Sequence, residues 1–107
     1  MELWTGLAAL KRDPKCKNFR RFGTGKGAYV NVVAWADSRE HFADRVRESA
    51  ANLDCILVEL EEITTVENRM KADDFPEEFI DMRATAYRQP KDIVFGTFHT
   101  WVQDDAN

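Results

Sequence analysis

The chain predicts an α+β sandwich, on three observations. Its 107 residues suit a single core. Apolar runs of period two alternate with two stripes of helical period, and the first two strand-like runs follow one another with no helix between them. The resulting order is β-β-α-β-α-β, read as a mixed sheet in a two-layer sandwich, with two helices packed on one face and the other face uncovered. Residues 1–103 form the domain, and the polar end 104–107 frays.

The elements follow in order. LWTGLAAL (3–10) is apolar, bounded and short, and reads as an opening strand. AYVNVVAWA (28–36) is rich in β-branched and aromatic residues and reads as a buried strand. Asp37 and Ser38 are both helix caps, with Glu40 at the capping-box spacing from Asp37. Phe42, Val46, Ala50 and Leu53 then recur as the apolar stripe of a first helix. CILVELEEITTV (55–66) begins as a strand with Ile56, Val58 and Leu60 on one face and Leu57, Glu59 and Glu61 on the other. ENRMKADD (67–74) carries few apolar residues and reads as a loop. Asp74 caps a second helix with Pro76 in its first turn; Phe79, Met82, Ala86 and Tyr87 form its buried stripe, and Gln89-Pro90 ends it. DIVFGTFHTW (92–101) is the last strand.

Charge is unevenly spread. The segment from Lys11 to Lys26 holds seven of the fifteen basic residues and one acid, Asp13, so it carries +6 and the remainder −10 within a net charge of −4. A basic lobe on an acidic body can steer a charged partner. The opening MELWTGLAALK fits neither a signal peptide nor a membrane span, and Cys16 and Cys55 have no disulfide-framework or metal-ligand spacing. A cytoplasmic protein with reduced thiols and no membrane partner is the expectation.

Candidate chemistry is sparse. The glycines of RRFGTGKGAYV miss the phosphate-binding loop pattern, since Arg20 stands at the first glycine position, Gly27 replaces the Ser or Thr, and a strand follows instead of a helix. Gly23, Gly25 and Gly27 read as a hairpin connection, with Lys15, Lys17, Arg20, Arg21 and Lys26 as a charged contact surface. Lysines on both sides favour the thiolate of Cys16, but no local signature joins it to His41 or His99. The acidic residues read as solvated faces and caps; no metal and no cofactor is expected.

The aromatic residues say more. Alternation places Tyr29, Val33 and Trp35 on one face of the second strand, and Phe95, His99 and Trp101 on one face of the last. With small Ala34 and Gly96 under the helices, the rings of Tyr29, Trp35, Phe95 and Trp101, with His99, fall on the open face as a partner-binding or pocket surface. The opposite phase, with these rings in the core, is the competing assignment. The favoured function is a non-enzymatic protein-interaction module that binds another protein or a second copy of itself. By analogy of size and charge, it could be an immunity-type inhibitor that neutralises a basic partner. Nucleic-acid binding through residues 11–27, with Phe19 and Phe22 among the basic side chains, ranks second. A small enzyme or ligand pocket around His99 ranks third.

Overall fold

The computed structural model of the chain describes residues 1–12, 27–72 and 74–101, with Trp101 described by its backbone only. Its elements are β1 (Glu2–Arg12), β2 (Gly27–Ala36), α1 (Arg39–Asn52), β3 (Cys55–Thr65), α2 (Val66–Lys71), α3 (Glu78–Arg88), β4 (Val94–Phe95) and β5 (His99–Trp101). The α+β sandwich is present, built on a five-stranded sheet of order β3-β1-β2-β4 with β5 also on β2. Every pairing among the described residues is antiparallel, where the sequence suggested a mixed sheet. The opening strand, at 11 residues longer than its apolar run, is central, with Ala8, Ala9 and Leu10 buried.

Period two in β1 and β2 divides the sheet into two faces. On one, Ala28, Val30, Val32, Ala34 and Ala36 of β2 meet Phe42, Val46 and Ala50 of α1 in a fully buried layer. Small strand residues let the helix approach closely. Opposite Val32, Gly6 of β1 lies so near that an added Cβ would stand 3.2 Å from the Phe42 ring and 3.0 Å from Leu60. The α1 cap is Ser38, whose Oγ accepts from the His41 amide at 3.1 Å. His41 Nδ1 in turn accepts from the Asp37 amide at 2.9 Å, so histidine takes the reciprocal role expected of Glu40. At the far end Asp54 takes φ 57°, the left-handed turn that stops the helix.

The second helix does not join the first. Leu3 and Val33, on the opposite face, pack with Val66 of α2 and with Phe79, Met82 and Ala86 of α3. α1 already fills the first face, and the chain must cross from β3 at one edge to β4 beyond β2. It therefore crosses over the other face and buries the apolar residues waiting there. Two helices on one face is thus corrected to α1 on one face and α2 with α3 on the other. The expected loop 67–74 is also mostly helix: Thr65 Oγ1 accepts from the Asn68 amide at 3.2 Å, and Val66 and Met70, one turn apart, both join the core. Tyr87, expected in the buried stripe of α3, is exposed.

Both outer edges of the sheet are bulged at nearly the same level. On β3 the register against β1 shifts between Thr5↔Thr64 and Leu7↔Glu61, leaving one extra residue, and Glu62 there has φ 55°. On the other side, the single last strand expected from the sequence is two pieces. Phe95 pairs with Val32 and His99 with Tyr29, so three residues, Gly96, Thr97 and Phe98, oppose two.

Candidate functional site

That level divides the second face into a covered and an open half. The apolar cluster beneath α2 and α3 ends at Val33 and includes none of Leu7, Ala9 or Tyr29. Beyond it, pairing aligns His99, Tyr29, Ala9 and Glu59 in one row across four strands, with Glu61 and Leu7 in the next. Tyr29 is 40% exposed, and on the edge strand Ile56 and Val58 are 47% and 51% exposed. The strip is therefore exposed at Tyr29 on one side, buried at Ala9 in the middle, and mixed along β3, where Ile56 and Val58 are exposed together with Glu59, Glu61 and Glu62.

Glu78, in the first turn of α3, fixes the boundary. Its Oε2 accepts from the Thr97 amide at 2.8 Å and its Oε1 from Asn31 Nδ2 at 3.1 Å, while the Gly96 amide bonds the Asn31 carbonyl at 2.8 Å. A Cβ on Gly96 would stand 2.7 Å from Glu78 Oε1, so glycine here makes room for the carboxylate. Burial raises the Glu78 pKa, but the hydrogen bonds from Thr97 and Asn31, with the charge of His99, outweigh it and hold the carboxyl below its ordinary value. This latch joins a helix terminus, a central strand and the bulge that aims β5. Nothing in the sequence links these residues except their side-chain types, because the bond from Asn31 to Glu78 spans 47 positions.

The predicted surface residues are dispersed. Tyr29 and His99 come together as a directly opposed pair. Trp35 lies half-buried under α3, its Nε1 donating to the Ala86 carbonyl at 3.0 Å, with the Tyr87 ring edge-on at 5.3 Å. Phe95 is on the α1 face beside Phe98, because the bulge inverts the alternation between Phe95 and His99. The open face imagined for all these rings is thus covered at Trp35 and absent at Phe95. Gly96 does lie beneath a helix, but beneath α3 and not α1. The backbone of Trp101 pairs with Gly27, while Cys16 and the basic positions Lys15, Lys17, Arg20, Arg21 and Lys26 lie outside the described residues. Cys55 is buried at the head of β3, as its packing role required.

A cleft of about 480 Å³ opens at the other end of the same face, between α2, α3 and the paired ends of β1 and β2. Leu3, Val66 and Met70 line its apolar part, Trp35 and Tyr87 its aromatic wall. The sequence offers no signal for it, because the residues of α2 include few apolar side chains. Among the described residues no three His, Cys, Asp or Glu side chains converge to hold a metal ion. Among them, too, no helix is long and apolar enough to cross a membrane. Fold and sites together define a small α+β sandwich whose second sheet face is, among the described residues, covered by helices over one half only. Comparison with family models, curated proteins and solved structures returned no match.

Proposed function

We infer that the chain is a non-enzymatic interaction module that docks a basic protein on the open half of its sheet. One observation carries this reading: beyond α3 the row of His99, Tyr29, Ala9 and Glu59 lies outside the helix-covered cluster and is flanked by exposed Ile56 and Val58. Exposed large apolar residues on a small domain mark a contact surface, and edge strands are templates for association. The acids Glu59 and Glu61 at one side select a cationic partner and repel an acidic one. A small acidic inhibitor that neutralises a basic protein is a role of this kind.

The probe is a synthetic peptide of alternating lysine and leucine, titrated into isotope-labelled protein at low and at physiological salt. The amides of Ala9, Tyr29, His99 and Glu59 should shift saturably, with weaker binding as salt rises. Replacing Glu59 and Glu61 together by Gln should weaken binding about tenfold, or about 1.4 kcal/mol. Unmoved resonances at millimolar peptide overturn the reading. If a single-stranded oligonucleotide moves these amides and the peptide does not, nucleic acid takes first place. If mass doubles with protein concentration and the same amides broaden without peptide, the occupant is a second copy.

A further inference from the structure

Four charged side chains, Glu2, Glu67, Lys71 and Arg83, line the cleft between α2 and α3 over its apolar floor. None forms an ion pair with another; the ion pairs among the described residues lie elsewhere, at Asp37 and His41, Asp44 and Arg47, and Arg69 and Asp74. Glu67 and Lys71, one turn apart on α2, form no ion pair with each other either. The four thus stand exposed and, among the described residues, without an ion pair at a space lined by Leu3 at 8% exposure and Val66 at 3%. Trp35 has given its only donor to the Ala86 carbonyl, so its ring offers the cleft an apolar surface. Arg83 lies over the Tyr87 ring at 5.7 Å, a stacking contact that leaves its planar fork of donors unspent.

From this arrangement we propose that the cleft binds a small zwitterion with an apolar body, a free hydrophobic amino acid being the simplest of the class. Its carboxylate is received by Arg83, with Lys71 as a second cation, and its ammonium by Glu67. Its side chain rests on Leu3 and Met70 against the Trp35 ring. The volume falls within the span of about 300 to 1,000 Å³ typical of small-ligand pockets. A simple apolar ligand would gain nothing from the four charged side chains, and a plain anion or cation would engage only one sign. The cleft shares no residue with the open strip, so either site can fail alone.

Three probes of one shape decide it: L-phenylalanine, 3-phenylpropionate, which lacks the ammonium, and phenethylamine, which lacks the carboxylate. Heteronuclear spectra should show saturable shifts of the Trp35 indole N–H and the Met70 methyl with L-phenylalanine. Each single-charge analogue should bind about tenfold more weakly, the loss of one charge-assisted hydrogen bond. Arg83→Met should abolish the preference for L-phenylalanine over phenethylamine, and Glu67→Gln its preference over 3-phenylpropionate. Both residues are exposed, so the variants should keep the wild-type thermal midpoint. Equal affinity for all three probes, or no saturation at tens of millimolar L-phenylalanine, overturns the proposal. So does a charge variant that folds normally and leaves the order of affinities unchanged.

Discussion

The two halves of the second sheet face have similar backbones and opposite fates. Near Leu3, Thr5, Val33 and Trp35, α2 and α3 close over the strands, and the apolar residues become core. A few residues along the same strands, at Leu7, Ala9, Tyr29 and His99, that cover ends and the face is exposed or half-exposed, apart from small Ala9. What separates them is the position of the α3 N-terminus, which Glu78 pins at Asn31 and Thr97. Alternation in a strand tells which residues share a face. It is silent on whether that face is covered, because the answer lies in an element remote in sequence.

The largest expected effect tests this contrast directly. Phe79→Ala empties a site 2% exposed in the covered half and should lower unfolding free energy by about 3–5 kcal/mol. Tyr29→Ala, in the open half, should cost less, about 1–2 kcal/mol, since the residue is 40% exposed. Chemical denaturation of the two variants measures both. Comparable losses would mean that something covers Tyr29 as completely as α3 covers Phe79.

The same contrast explains what could be read from the sequence. The alternation of β2, the stripe of Phe42, Val46 and Ala50, and the burial of Cys55 were legible because each rests on local period and residue type. The helix α2 was hidden because its short length leaves only Val66 and Met70 as an apolar pair. Phe95 was assigned to the wrong face because a bulge at Gly96, Thr97 and Phe98 adds one residue, and one residue inverts every side chain before it relative to those after. Its cause, a carboxylate arriving from α3, is tertiary. At the candidate site, the Tyr29 and His99 pair was legible as composition and face, whereas the latch and the cleft were not.

A middle-sized effect comes from the latch. Glu78→Gln keeps the shape but loses charge-assisted acceptance from Thr97, and Gly96→Ala drives the carboxylate away from the same partners. Each should cost about 1–2 kcal/mol. Amide exchange in β5 should accelerate in both, while exchange in α1 changes only with global stability. The pH dependence has a definite sign. Because the folded-state carboxyl is held below its ordinary value, its stabilisation is complete above that ordinary value and is lost as pH falls through the lower folded one. As pH falls below the ordinary glutamate value and through the lower folded one, therefore, wild type should lose more stability than Glu78→Gln. Parallel pH curves would show that the carboxylate is not held by these bonds.

The smallest effect concerns the bulge on the other edge, at Glu62. Its φ of 55° places a non-glycine side chain in the left-handed region, at a strain of about 1–2 kcal/mol. Glu62→Gly relieves that strain but adds unfolded-chain entropy worth about 0.5–1 kcal/mol, so a net gain of only about 0.5 kcal/mol is expected. Glu62→Val should instead destabilise, because β branching resists positive φ, while Glu61→Val, beside it at ordinary φ, should change stability little. The comparison matters because this extra residue sets the phase of β3. With it, Glu61 and Glu59 oppose Leu7 and Ala9 on the open half; without it, a one-residue slip would turn Leu60 outward and the acids toward Phe42. Equal stabilities for Glu62→Val and Glu61→Val would show that the chain does not hold this bulge, and the acidic flank of the open strip would lose its structural basis.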